Sequence, residues 1–427
     1  MLRFHAVPVG VFVGLTAVVL VCAAARAEEK AAKLPPCRAI TTGPRFHWFA
    51  YYDKWQFDPT DRYVLGMEVG FEHRSPKADD AIRVGMVDLA DGDRWVELGE
   101  SRAWNWQQGC MLQWRPGTKS EVLWNDRQGD RFVCHVMDVH TRKRRTIPHA
   151  VYSVAPDGRV AVAPDFRRIQ DMRPGYGYAG MPDPHAAEMA PADSGIWRID
   201  LRTGEARLIL TLADIARTGK PDPSMKGAKH YFNHLLFAPD GKRFIFLHRW
   251  RPDGGKGGFR TRMLTADTEG KNIRVVDPSG HTSHFIWKDP RTITAWSRPT
   301  GRPAAFYEFD DRTGAYRQVG KGVMTHNGHN TYLPIGSGVE WILNDTYPQG
   351  KNREQNPYLY HVPTGRRFWL GHFPLPREYT GEWRCDTHPR CSRDGTKVVI
   401  DSPHGGKGRQ MWLIDVSGIV QAKPSKP

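Results

Sequence analysis

Phe237-Ala238-Pro239-Asp240-Gly241, followed by Arg243-Phe244-Ile245-Phe246-Leu247 and closed by Thr265-Ala266-Asp267, is the stretch from which the fold is read. An apolar residue enters a Pro-Asp-Gly turn, an apolar strand leaves it, and a second strand ends on an aspartate. Such turns carry the glycines that hairpins need. The same unit recurs at Phe57-Asp58-Pro59-Thr60-Asp61-Arg62 with Met86-Val87-Asp88, at Trp114-Arg115-Pro116-Gly117 with Met137-Asp138-Val139, and at Val154-Ala155-Pro156-Asp157-Gly158 with Asp200-Leu201-Arg202-Thr203-Gly204. Further copies are Trp287-Lys288-Asp289-Pro290 with Asp310-Asp311-Arg312-Thr313-Gly314, Tyr332-Leu333-Pro334 with Val362-Pro363-Thr364-Gly365, and Cys391-Ser392-Arg393-Asp394-Gly395 with Leu413-Ile414-Asp415. Seven units of short antiparallel strands predict an all-β fold, a seven-bladed β-propeller of four-stranded blades. Seven matched units argue against a pair of β-sandwiches. Only Leu212–Arg217 reads as helix, and residues 46–52 are expected to supply the strand that closes the ring. Insertions at 167–194, 216–230 and 251–259 mark the loops in which a propeller tends to carry function.

The chain has 427 residues and a formal charge of +15, from 61 basic and 46 acidic residues. Arg3, an apolar run over 9–24 and Ala25-Arg26-Ala27 read as an export signal over residues 1–27, with one propeller domain over 28–427. Its removal takes Arg3 and Arg26 and leaves +13, no stable membrane span, and a periplasmic or secreted protein. Cys37, Cys110, Cys134, Cys385 and Cys391 then remain, an odd number, so at least one thiol is free, intermolecular or metal-bound. The positive surplus points to an anionic partner, and acidic polysaccharide suits an exported protein. No nucleic-acid module is recognisable, which argues against that partner. The bland alternative is a cationic surface that serves only solubility. A serine-hydrolase elbow, a phosphate-cradling loop and a HExxH helix are all missing from the sequence.

His234 precedes the turn of the fourth repeat as His284 precedes that of the fifth and His388 that of the seventh. A lone histidine of this kind is more often a satisfied core residue. Recurrence at equivalent blade positions points instead to one shared polar site. Further polar residues stand where strand register favours apolar ones, among them Gln108, Asn125, His230, His248-Arg249, His281, His329 and His404. Cys385-Asp386-Thr387-His388 brings metal-ligand types together without the CxxC spacing of a zinc finger, the alternative being a disulfide or a buried turn. A divalent metal held by imidazoles with Cys385 or Asp386 is expected, and a thiolate favours zinc over manganese. Arg167-Arg168 and Arg173-Pro174-Gly175-Tyr176-Gly177-Tyr178 form a second patch, in which arginine forks could grip carboxylates, or else an ordered loop with solvated arginines.

Asn233-His234, Gly280-His281-Thr282-Ser283-His284-Phe285, Cys385-Asp386-Thr387-His388-Pro389 and Asp401-Ser402-Pro403-His404-Gly405-Gly406 resemble motifs of the seven-bladed propeller polysaccharide lyases. The C-terminal half is similar to oligogalacturonate lyases, which hold a divalent metal with histidines and a glutamine and use another histidine as base. That resemblance implies His284 and His388 as metal ligands, with Cys385 where the glutamine sits and Arg390 in place of a further histidine. The N-terminal half resembles ulvan lyases, whose catalytic tyrosine and arginine match Tyr152 and Arg168 in spacing, while Gln108 and Asn125 occupy the regions of their catalytic histidines. The implied function is an exported lyase that cleaves a uronate-containing anionic polysaccharide or oligosaccharide by β-elimination. His234 or His248 is the expected base, Tyr152 the acid and Arg168 the carboxylate neutraliser. Asn125, Arg173, Tyr178 and Arg249 are expected to bind substrate, and His284, Cys385 and His388 the metal. The alternative from another class is a non-catalytic envelope propeller that binds anionic glycan or a protein partner.

Overall fold

The Pro-Asp-Gly units fold as their chemistry requires. Gly241 takes φ 70° and Gly158 φ 69°, a region closed to most side chains. The aspartate before each glycine caps the turn: Asp240 Oδ1 accepts from Lys242 N at 3.1 Å, and Asp157 Oδ1 from Arg159 N at 3.0 Å. The Asp-x-x-Thr-Gly ends work in the same way, with Asp200 Oδ1 accepting from Arg202 N and Thr203 N, both at 2.8 Å. Local hydrogen bonds thus set where each strand stops.

A computed structural model describes residues 33–49, 51–220 and 222–421; the expected export signal over residues 1–27 lies outside them. Seven four-stranded antiparallel sheets follow one another as the blades of a propeller. The fourth blade shows the plan, running outward through Lys229–Phe237, Arg243–Arg251, Arg260–Asp267 and Arg274–Asp277. Aromatic and aliphatic side chains fill the space between adjacent blades, as where Trp48, Trp104, Trp106 and Trp124 are all buried. Full burial of each large side chain contributes about 1.5–3 kcal/mol.

Ring closure differs from expectation. Phe46–Trp48 is the innermost strand of the first blade, and Cys37–Ala39 closes the ring as the outermost strand of the last, with Cys37 opposite Ile414. The helix Leu212–Arg217 forms as read. A second helix, Phe166–Met172, opens the first insertion, capped by Asp165 Oδ1 accepting from Arg167 N at 2.9 Å. The five cysteines among the described residues are all free. Among the described residues no helix is long and apolar enough to cross a membrane.

Candidate active site

The inner strand of the fourth blade carries a β-bulge at the site. Asn233 pairs with Leu247 and Leu235 with Phe246, so His234 is the extra residue, with φ 51°. A bulge of this kind re-aims a side chain out of the ladder. The bulge is secured locally, since Asn233 Oδ1 accepts from His234 N at 2.8 Å. His284 and His329 stand just before the inner strands Phe285–Trp287 and Thr331–Tyr332. His388 stands before Arg390–Cys391, also at positive φ, 39°.

Tyr51 lies among the four. Its ring stacks on that of His234 at 4.8 Å and 9°. It meets His388 edge-on at 5.0 Å and His329 at 5.9 Å, with His284 at 6.4 Å. The blades therefore bring His234, His284 and His388 together as their repeat positions implied. His329 and Tyr51 belong with them. His329 holds the same place, three residues before a degenerate turn, so register alone could have found it; Tyr51 stands six residues before the first repeat, and register does not reveal it.

Three of these residues form a metal-competent group. Ligand atoms of His329, Asp386 and His388, all buried, lie within 4.8 Å of one another. His329 Nδ1 is 3.0 Å from both Asp345 oxygens, which fixes the proton on Nδ1 and leaves the Nε2 lone pair free. His388 Nε2 is buried without a partner among the described residues. Asp386 accepts from Arg384 Nε and Nη2 at 2.6 Å and from Gln355 Nε2 at 3.3 Å, and its oxygens retain lone pairs. Two imidazoles and a carboxylate suit a divalent ion, so the residues present fit one.

Cys385 is not among them. It packs with Leu375 and Tyr379, and burial pushes its thiol up, away from the thiolate that binds metal. The thiolate argument for zinc over manganese falls with it. His284 lies beside the group, its ring 4.2 Å from that of His329. Its Nδ1 is 3.1 Å from Asn327 Oδ1 and its Nε2 3.3 Å from Tyr347 Oη.

A cavity of about 320 Å³ opens beside this cluster, lined by His234, His284, Arg173, Tyr176, Arg249 and Tyr347 among others. Neither Arg173 nor Arg249 donates a side-chain hydrogen bond among the described residues, and Arg173 Nη1 and Arg249 Nε and Nη1 are fully buried. His234 faces this charge. Burial first, then Arg249, His284 and Arg173, hold its pKa well below the ordinary imidazole value, so the ring is neutral. Its Nδ1 lies 3.0 Å from Gln108 Nε2 and 3.1 Å from Tyr152 Oη, and its Nε2 lies 3.5 Å from Tyr51 Oη.

Several expected site residues have other work. Arg168 spends all five of its N–H groups within the chain: Nε on His230 O, Nη1 on Asp183 Oδ2 and His185 O, and Nη2 on Glu188 O and Met189 O, at 2.8–3.0 Å. It clamps the first insertion and has no donor left for a carboxylate. His248 is buried away from the cavity, its Nδ1 accepting from Arg262 Nε at 2.9 Å and its Nε2 2.8 Å from His230 Nδ1, so neither nitrogen is free to act as base. Asn125 ties blades together through Val151 N, Val151 O and Tyr178 Oη at 2.8–2.9 Å. Tyr178 stacks on Phe166 at 4.1 Å in the core. Neither Asn125 nor Tyr178 reaches the cavity lining. Tyr152 touches His234 but stands behind it, fully buried.

No protein-family model matches the chain, and no curated protein is similar to it in sequence. Solved structures are similar in three dimensions. The oligogalacturonate lyase from Vibrio parahaemolyticus superposes with a TM-score of 0.64 at 15% identity, over 90% of this chain and 94% of that chain. An oligogalacturonate lyase in complex with manganese gives 0.64 at 16% identity, again over 90% and 94%. The tricorn protease follows with 0.50 at 11% identity over 88% of this chain and 34% of its own. At such identities the likeness is one of fold: this chain shares the seven-bladed propeller of the oligogalacturonate lyases along nearly its whole length.

Proposed function

We propose that the protein is an exported lyase that cleaves a uronate-containing anionic oligosaccharide or polysaccharide by β-elimination. One observation carries this: neutral His234 faces buried Arg249 and half-buried Arg173, whose side chains donate no hydrogen bond among the described residues. Elimination needs a base for the proton α to the carboxylate, cations for the charge that develops there, and an acid for the departing glycosidic oxygen. Arg173 and Arg249 offer bidentate forks to the carboxylate. Burial is the main cause of the low pKa of His234, and pairing Arg249 and Arg173 with the carboxylate would offset only the smaller share that their charge adds.

Tyr152 and Gln108 set the tautomer of His234. Gln108 Oε1 is buried without a partner among the described residues; with the carboxamide turned over, it accepts from His234 Nδ1–H and leaves Nε2 as the basic atom. Tyr347, in the cavity wall with His284 Nε2 3.3 Å from its hydroxyl, would protonate the leaving oxygen. His329, Asp386 and His388, beside the cavity rather than in its lining, would hold a divalent metal, which would supply Lewis-acid chemistry when bound. The fold shared with oligogalacturonate lyases, one of them solved with manganese, supports the same reading.

The test is incubation with oligogalacturonate and other uronides, with divalent metal and with chelator. Unsaturated product, seen by its ultraviolet absorbance, should appear and should vanish in His234→Ala. A protein that yields no unsaturated ends from any uronide sinks the lyase and leaves a glycan-binding propeller.

A further inference from the structure

Phe259 ends the insertion 251–259 and is 41% exposed, unusual for so large an apolar side chain beside a polar cavity. Three guanidinium groups surround its ring, Arg173 at 4.6 Å, Arg249 at 4.9 Å and Arg251 at 5.7 Å. Arg173 also lies over the ring of Tyr176, at 4.1 Å. Arg251 is a fixed neighbour, donating Nε to Met172 O at 3.0 Å and Nη1 to Gly257 O at 3.3 Å. Arg173 and Arg249 have no hydrogen bonds from their side chains and no carboxylate partner among the described residues. Two such cations repel each other, and Arg173 depresses the pKa of Arg249 after burial does.

An aromatic face carries negative charge density and attracts cations. A ring under the Cζ atoms of two guanidiniums offsets their repulsion without consuming their N–H groups, which stay available to bind. Those groups are the part that recognises a carboxylate bidentately.

We propose that Phe259 is a positioning residue that holds Arg173 and Arg249 fanned toward the carboxylate of a bound uronate. Phe259 is thereby the determinant of selectivity for the acid over its ester. This rests on the β-elimination reading for its kinetic consequence, and on the anion site alone for its binding consequence.

The experiment compares wild type, Phe259→Leu and Phe259→Trp on two readouts. Kinetics on digalacturonate should show KM about tenfold higher in Phe259→Leu, equivalent to about 1.4 kcal/mol, with kcat within about twofold and the melting temperature unchanged. Phe259→Trp should restore KM. Calorimetric binding of galacturonate, which has no glycosidic bond to cleave, should weaken about tenfold in Phe259→Leu, while binding of its uncharged methyl ester should not change. Unaltered KM and galacturonate affinity in Phe259→Leu, failure of Phe259→Trp to restore them, or equal losses for acid and ester would overturn the role. If wild type binds galacturonate but makes no unsaturated product, the lyase reading falls while the binding arm still decides Phe259. If wild type binds neither, both fall.

Discussion

Arg168 and Arg249 are both buried, and they stand at opposite ends of what burying an arginine can mean. Arg168 gives five donors, four to three carbonyls and one carboxylate of the first insertion and one to His230 O in the next blade. Arg249 gives none, and stands beside Arg173, which gives none either. An uncompensated buried charge costs several kcal/mol, and selection has no structural reason to keep it. The difference separates a clamp from a binding group, although sequence presents both as arginine beside an aromatic-rich loop.

The largest effect expected concerns the group those free arginines face. His234→Ala should lower kcat by about 10²–10⁴ without loss of melting temperature, measured by steady-state kinetics alongside thermal unfolding. The two arginines should then part company. Arg168→Met strands Asp183 and should cost about 3–5 kcal/mol in urea unfolding. Arg249→Met should cost no stability while raising KM about tenfold to a hundredfold. Equal destabilisation by the two substitutions would break the comparison.

Metal content sharpens it further. His329→Ala and His388→Ala should each release the bound ion, read by elemental analysis, whereas Cys385→Ala should retain it. The smallest effect lies in the satisfied region. Burial holds His248 well below the usual imidazole pKa and His230 down to about 4, so both are neutral in the folded protein. The unfolded chain binds more protons below pH 6.5, so the stability these groups confer is present above that pH and is lost as the pH falls toward their folded values. Each should add up to about 1.4 kcal/mol per pH unit to the slope of unfolding free energy between pH 6.5 and 5.5. A flat profile over that range would show that the pair takes up protons without unfolding.

The fold was legible because each blade restates the same turn chemistry, and a period seen seven times outweighs any single strand. The closing strand was not, because Cys37-Arg38-Ala39 is three exposed residues with no alternation to read. His234, His284 and His388 were legible through their shared register. What they coordinate was not: Cys385 and Asp386 are neighbours in the chain, and only the turn they make sends the carboxylate to the imidazoles and the thiol to Leu375. Arg168 was misread for a related reason. Whether a guanidinium is spent depends on where five carbonyl and carboxylate oxygens end up, and composition carries no record of that.

The bulge at His234 has a consequence for how such a site is gained or lost. The ladder on either side of it is regular, Lys229–Asn233 against Leu247–Arg251 and Leu235–Phe237 against Phe244–Phe246. Excising one residue at 234 would let the two halves join in a continuous register and relieve a left-handed backbone position. A blade with the deletion should therefore be no less stable, and it would have lost its imidazole at the centre of the ring. The distance between an inert blade and one that does chemistry is, at this position, a single codon inserted in frame.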